Sequence, residues 1–511
     1  MSWLPSATYW VVSASLCLLA CRGGPAVQVL GESNRLERSE PSPAKSSIFD
    51  GKVVRLRGVR GETLGVEVRR FDGKSDDAWL TVPASAASVT AFAVRSLEIR
   101  EPSSSMYGTS RGPGIYPDVL VPLAAPGVSG ELAYFDVAIE RAARPGRYSG
   151  ELRASGQIIP VVLDVVRGRI DLTRDPLVWA FYLPSEIAHA HGLPDDDSPE
   201  LLAREGSYYD LFRAHGVLLA ADLSPARFVP RRSFVHDVQY WPVAIDISSD
   251  RAITDDVHRW LDLFRDLPAT PFAIPVDEPK NVEQRQKARR IAEVIGLAGG
   301  GRPSLLRGVT DVTSPVYGDA IDVFISPKNP FGDATAKRKG QRFWTYNGRP
   351  PEAGSMILDT EGTALRTWGW IAYRYDVELW YAWEGLYFSD RYNGGRRTDV
   401  LYEPITFDER SRGGTDWGNG DGVLVYPGPL PSLRLKALRR GLEDRLLLRE
   451  LESCGKGELS RHLARRMVPR ALNEAGSVAA WPTDESDWER ARNQILDSIE
   501  EHCHDDTTVD G

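Results

Sequence analysis

The chain has no surplus of basic residues: 62 Lys and Arg stand against 71 Asp and Glu, for a net charge of −9. That excludes a nucleic-acid groove, which needs a cationic face. No Gly-x-Ser-x-Gly elbow and no Gly-rich phosphate loop stands out. The first absence sets aside a serine nucleophile of that type, and the second ranks an open doubly wound sheet low. Cysteine is scarce, four in 511 residues. Composition is otherwise that of a soluble globular protein, 42% hydrophobic and 26% charged, so no long disordered tract is expected outside the ends. The length suggests about three domains. Tryptophan is abundant at fourteen residues, and an indole either fills a core or stacks on the apolar face of a sugar ring.

The first twenty residues carry no charge. Their apolar stretch, Tyr9 to Ala20, is too short to span a bilayer and ends at Cys21. Leu18-Leu19-Ala20-Cys21 resembles the lipobox of bacterial lipoproteins, although the preceding segment has no Lys or Arg. The resemblance implies a signal peptide over 1–21, lipidation of Cys21, and a protein facing the periplasm or exterior. Ordinary signal cleavage, with secretion, is the alternative. Removal of the signal leaves Cys454 and Cys503 free to pair in an oxidising compartment.

A Ser-, Pro- and charge-rich stretch follows, and 22–47 reads as a flexible tether. Over 48–168, short period-two runs punctuated by Gly and Pro predict an antiparallel β-sandwich. From 169 to 430 the pattern becomes strand, loop, helix, repeated. Apolar strands are expected at 177–182, 217–221, 271–276, 320–325, 342–346 and 378–383. Val257, Trp260, Leu261 and Phe264 mark one helix face, and Asn281 with Gln284 a helix start. Such alternation predicts a parallel sheet, and the number of repeats favours a (β/α)8 TIM-type barrel. Helices are expected over 431–504, then an acidic tail over 505–511.

Pro275-Val276-Asp277-Glu278-Pro279 carries the chemistry. Two carboxylates sit where an apolar strand gives way to a helix, at the mouth of a barrel strand. Neighbours in a regular strand point to opposite faces, so both serve one site only if the strand geometry breaks. Pro279 makes such a break plausible by restricting Glu278 to extended conformations. Adjacent carboxylates also push their pKa values apart, which suits an acid beside a charged partner. Taken alone, Asp-Glu-Pro is as compatible with a solvated helix entry. The aromatic residues change that balance: Trp179 and Tyr182 in the first strand, Trp344 and Tyr346 in another, then Trp368 and Trp383, are candidates for a sugar-stacking cleft. Trp370 and Trp380 are expected to fill space between barrel and helices.

The chain also resembles glycoside hydrolase family 123, the β-N-acetylgalactosaminidase family, from about Ile48 to Leu451. The resemblance rests on Tyr116-Pro117-Asp118, the run from Pro145 to Gly150, Val276-Asp277-Glu278-Pro279, Arg366-Thr367-Trp368 and Leu379 to Trp383. The most specific stretches are Gly420 to Gly428 and Arg434 to Asp444, more structural than catalytic in character. The resemblance implies substrate-assisted retaining cleavage, in which the sugar's own 2-acetamido oxygen attacks the anomeric carbon. Asp277 would stabilise the acetamido group, and Glu278 would protonate the leaving oxygen and then activate water. Asp277 is then expected to be ionised and Glu278 to hold a proton near neutral pH. A carbohydrate substrate is implied, and neither metal nor cofactor is required.

Other signals are weaker. His189-Ala190-His191 with Asp195-Asp196-Asp197, and His502-Cys503-His504, read as polar loop and tail rather than metal sites. Asn419-Gly420-Asp421-Gly422 lacks the later Glu of a calcium loop and reads as a turn. Lys337-Arg338-Lys339 is a surface cluster. Two other functions remain open: a carbohydrate-binding envelope lipoprotein without turnover, and a glycosidase for sugars lacking an acetamido group.

Overall fold

The structure is a computed structural model, described over residues 27–40, 45–70, 77–123, 127–128, 130–300, 305–333, 335, 340–391 and 395–503. The expected signal, Cys21, Lys337-Arg338-Lys339, His504 and the acidic tail lie outside the described residues. No helix among those described is long and apolar enough to cross a membrane.

The first nine strands make a two-sheet sandwich. One sheet has the order β1 (Val27–Gly31), β3 (Thr63–Arg70), β7 (Leu132–Ile139), β5 (Ala87–Ile99) and β6 (Gly114–Pro122). The other runs β2 (Val54–Arg60), β9 (Gln157–Arg169), β8 (Gly146–Ala154) and β4 (Trp79–Thr81). The facing rows of Val, Leu, Ile and Phe form its core, as alternating strands require. Two details depart from the sequence reading. β2 pairs with β9 in parallel, so the sandwich is not wholly antiparallel. β1 lies within the stretch read as a tether: Val27, Val29 and Leu30 are buried there, and all five residues pair with β3.

Eight parallel strands follow, each three to five residues long. They are β10 (Val178–Ala180), β11 (Val217–Leu219), β12 (Tyr240–Pro242), β13 (Thr270–Ala273), β14 (Leu306–Val309), β15 (Val323–Ile325), β16 (Arg342–Tyr346) and β17 (Trp380–Ala382). Their order, β11-β10-β17-β16-β15-β14-β13-β12, brings the last strand beside the first and curls the sheet into a barrel-like layer. Among the described residues β11 and β12 are its ends and are not paired as strands; just beyond them Ala244 N–H donates to Leu223 O. The closed eightfold barrel expected from the repeats is therefore seamed. Its helical layer is irregular too. Helices α1 (Pro184–Ala190) and α2 (Pro199–Arg213) follow β10, and α3 (Pro225–Phe228), α4 (Asp250–Phe264) and α5 (Val282–Ala298) follow the next three strands. Only a 3-10 turn, Pro315–Tyr317, follows β14. Helix α6 (Thr367–Tyr375) precedes β17, and α7 (Leu433–Leu451), α8 (Gly457–Met467) and α9 (Glu485–His502) complete the chain. Cys454 and Cys503 form a disulfide that ties the turn after α7 to the end of α9.

Helix α7 joins the layers. Its sequence reads as amphipathic, yet it is buried nearly all round, and its charges are paired across both neighbours. Arg434 meets Asp118 of β6 at 3.0 Å, Lys436 meets Asp136 of β7 at 2.6 Å, and Arg439 reaches Glu32 and Asp136 at 2.8 and 2.7 Å. Toward the helical layer, Asp444 holds Arg366 at 2.8 Å, and Arg440 meets Glu489 of α9 at 3.1 Å. Gly369 of α6 and Gly441 of α7 cross backbone on backbone: a Cβ on Gly369 would lie 1.7 Å from Gly441 O. Three of the family-like stretches thus meet at one buried point, where Asp118 accepts from Arg434 and from the Tyr426 hydroxyl at 2.6 Å.

Removing one partner of such a pair strands a desolvated charge, at a cost of about 3–5 kcal/mol. Asp118→Ala, which abandons Arg434 and Arg35, is expected to lower the unfolding free energy, read by urea denaturation, by that amount. Arg251→Ala, which breaks an exposed helical pair, is expected to change stability by less than about 0.5 kcal/mol.

Candidate active site

β13 ends at Ala273, and Ile274 to Val276 carry the chain out of the sheet before Asp277. The regular strand geometry that would separate neighbouring side chains has ended there. Glu278 has φ +41°, a left-handed conformation that costs a non-glycine residue energy. The break is therefore sharper than the extended conformation expected before Pro279. It is held by Thr310, the residue after β14: the Glu278 N–H donates to Thr310 Oγ1 at 2.6 Å, and that hydroxyl donates to Asp277 Oδ1 at 2.5 Å. One hydroxyl fixes the backbone of the second carboxylate and the side chain of the first. Asn281 then caps α5 by accepting the Gln284 N–H, while Gln284 Oε1 accepts the N–H of Lys280.

Both carboxylates open onto one cleft of about 660 Å³. Its floor is a row of rings. Trp179, Tyr381 and Tyr346 occupy matching positions on adjacent strands β10, β17 and β16. Trp179 stacks on Tyr381 at 4.3 Å, and Tyr381 on Tyr346 at 6.0 Å. The Tyr346 hydroxyl donates to Glu278 Oε1, and Lys280 Nζ pairs with Glu278 Oε2. A side wall is built from further afield. Gly420 and Gly422, both at positive φ, present Asp421 to the indole N–H of Trp383 at 3.2 Å. Tyr107 comes from the sandwich, on the 3-10 turn Ser105–Tyr107 between β5 and β6, and its ring meets Phe407 edge-on at 6.3 Å.

The electrostatics differ from the sequence expectation. Burial pushes the Asp277 carboxyl above the usual carboxylate range, and the Glu278 charge adds to this against the Thr310 hydrogen bond. Burial pushes Glu278 up as well, but the bonds from Lys280 and Tyr346 outweigh it and leave Glu278 low. Without a ligand, Asp277 is thus the more readily protonated of the two. Three further carboxyls line the cleft with raised values. Burial lifts Asp222 to about 6, with help from Asp277, and Asp421 to about 6. Burial lifts Glu384 to about 8 against the pull of Arg391.

Of the residues singled out in the sequence, Asp277, Glu278, Tyr346, Trp383 and Trp179 meet in this cleft. Three others do not line it. Trp344 fills the barrel interior against Tyr240 and Phe272. Trp368 stacks on Trp380 at 4.5 Å outside the sheet. Tyr182 is buried and bonds Glu205. Trp370 is in the helical layer, bonding Asp444 and meeting Trp488. The polar loop expected at His189-Ala190-His191 is instead the end of α1, with His191 capping it; His191 meets Tyr208, and Asp197 takes Arg227 and Arg231. Asp222, Tyr381, Glu384, Asp421 and Tyr107 were not anticipated. Tyr381 was accessible by alternation with outward-facing Trp380, and Asp421 by its place between two glycines. A larger hollow of about 930 Å³ lies at the other end of the strands, where Tyr240, Thr270, Leu306 and Arg342 begin. Its Arg307–Asp322 and Arg342–Glu378 charges are mutually paired, and sites in such folds lie at the strands' C-terminal ends.

Residues 277–451 match the family model of the glycoside hydrolase 123 catalytic domain. Over this segment the chain is similar to glycoside hydrolase family 123. The match begins on Asp277 and ends with α7. No curated protein matches the chain. Among solved structures it is similar to a family 123 glycoside hydrolase from Clostridium perfringens, studied for glycolipid glycan hydrolysis. Identity is 11%, over 94% of this chain and 98% of that one, with a TM-score of 0.58; at that identity the likeness shows the fold alone. A glycosyl hydrolase family 2 member from Bacteroides cellulosilyticus overlaps 73% of this chain and 50% of that one at 10% identity, with a TM-score of 0.26 that carries no argument.

Two outcomes follow for this site. Thr310→Val removes both bonds that set the carboxyls and is expected to lower kcat/KM by about ten- to hundredfold with the fold retained, read by steady-state kinetics and circular dichroism. Lys280→Met removes the cation that holds Glu278 low. With Glu278 as the proton donor, activity falls as pH rises through its pKa. The variant's alkaline limb in a kcat/KM profile is therefore expected at higher pH than the wild type's.

Proposed function

We propose that the protein is a glycosidase that releases β-linked N-acetylhexosamine, of the acetylgalactosamine type, by a retaining, substrate-assisted reaction. The observation that carries this reading is the convergence of Asp277 and Glu278, through Thr310, on one aromatic-floored cleft. A ring stacked along Trp179, Tyr381 and Tyr346 would bring its anomeric carbon within reach of both carboxyls.

In the first step the 2-acetamido oxygen attacks the anomeric carbon. Asp277 faces the acetamido N–H and balances the charge that develops there. Glu278 gives its proton to the departing glycosidic oxygen, and an oxazolinium-like intermediate remains. Glu278, now a carboxylate, takes a proton from water; that water attacks the anomeric carbon from the vacated face, and the acetamido group is restored with the β configuration. For Glu278 to start protonated, the bound sugar must displace the exposed ammonium of Lys280 and shut out water. Lys280 is 73% exposed in its side chain, so little holds it in place.

The raised Asp277 and lowered Glu278 favour a second assignment, with Asp277 as donor and Glu278 as the anion. The leaving group separates the two. An acidic phenol departs without protonation, so the donor's variant recovers activity on a dinitrophenyl glycoside and the stabiliser's variant does not.

The carboxylates are tested on aryl β-N-acetylgalactosaminide and β-N-acetylglucosaminide. Asp277→Asn and Glu278→Gln are each expected to lower kcat/KM by about a hundredfold or more. Sugar binding without turnover in the wild type would favour a binding lipoprotein. Activity on glycosides without an acetamido group would end the substrate-assisted reading. Lipidation of Cys21 and attachment to the cell envelope are part of the proposal, read by metabolic labelling with a fatty acid and by fractionation of Cys21→Ala.

A further inference from the structure

The wall of the cleft that carries Asp222 holds more acceptors than donors. Asp222, just beyond β11, is exposed within the cleft, and among the described residues its carboxylate takes no hydrogen bond or ion pair from another residue. Glu384, just beyond β17, lines the same cleft at 1% exposure. It shares a single cation, Arg391, with Glu186. Arg391 reaches one oxygen of each carboxylate; Oε2 of Glu384 and Oε2 of Glu186 are buried without a partner. A buried acceptor without a donor costs about 1–3 kcal/mol. Burial keeps a proton on Glu384 near neutral pH, which leaves Asp222 as the acceptor on this wall with no donor from another described residue, facing the space over Asp277 and Glu278.

We propose that Asp222 is a specificity-determining residue, which accepts hydrogen bonds from ring hydroxyls of the sugar bound over Asp277 and Glu278 and confines that position to neutral sugars. The inference rests on the sugar-hydrolase reading above. Sugar hydroxyls supply donors without adding charge. A sulfated or uronic ring would set a second anion beside the Asp222 carboxylate, which no cation among the described residues neutralises. Glu384 lines the same wall, near enough to Asp222 for the two carboxyls to influence each other.

Wild type and Asp222→Asn are compared on the aryl β-N-acetylgalactosaminide, its 4-epimer and its 6-sulfate. In parallel, calorimetry reads the binding of free N-acetylgalactosamine. Asp222 has no protein partner to lose, so an unchanged melting temperature is expected; Asp222→Ala provides an independent second variant. The proposal predicts about a ten- to hundredfold rise in KM and Kd, kcat within a few-fold of wild type, and a narrowed gap between the neutral and sulfated substrates. Unchanged Kd and unchanged selectivity would overturn it, as would a collapse of kcat at constant Kd, or equal acceptance of the sulfated substrate by the wild type. Sugar binding without turnover in the wild type ends the hydrolase reading alone, and the calorimetric comparison then decides the role of Asp222. Binding of neither substrate nor free sugar overturns both.

Discussion

Buried charge is the constraint on which the rest of the architecture depends. Helix α7 carries Arg434, Lys436, Arg439, Arg440 and Asp444 into the interior, where each is tolerable only with its partner in place. Those partners lie on β6, β7, α9, the segment around Glu32 and the residue before α6. The sandwich and the barrel are therefore committed to one mutual arrangement, since any slippage strands several charges at once. That arrangement delivers Tyr107, a sandwich residue, to the rim of a cleft built on barrel strands. The family-like stretches that converge on Asp118 and Arg434 lock this arrangement, and one of them also places Asp421 in the wall of the cleft.

The cleft depends on a smaller device of the same kind. Left-handed backbone at Glu278 is maintained because Thr310 satisfies its N–H and Asp277 together. The strain is placed where it converts two neighbours along the chain into two groups facing one ligand. Strand β14 contributes neither carboxyl, yet the residue at its end sets the geometry of both. Around this pair the low dielectric and the surplus of carboxyls hold several groups near their titration points, which suits proton transfer at neutral pH.

Much of the fold was legible because period-two and period-3.6 patterns report burial directly. The six barrel strands expected from apolar runs are all present: 342–346 is found as expected, the strand expected over 271–276 runs from Thr270 to Ala273, and the other four are shorter than expected. Two escaped notice: in β12 a proline, Pro242, interrupts the run Tyr240 to Ile245, and β14 holds Arg307 and Gly308. β1 was hidden in a stretch whose Ser, Pro and charge content resembles a tether. At the site, Asp277 and Glu278 stood out because two carboxylates closed an apolar strand. Asp222, Glu384 and Asp421 are single carboxylates in loops, and only the folded chain brings them together. The aromatic residues illustrate the limit of pattern: Trp344 and Tyr346 share one face of β16, but two residues of strand, about 6.6 Å, separate core from mouth. Trp368 fails for another reason, since it lies on α6 and faces the outer surface of the sheet.

The central claim is that the acetamido group of the substrate acts as the nucleophile under the control of Asp277 and Glu278. The most direct measurement is the configuration of the sugar first released, followed by proton NMR of the anomeric signal during hydrolysis of an aryl β-N-acetylgalactosaminide. The β-anomer is expected first, with later mutarotation to the α form. Initial release of the α-anomer would contradict it.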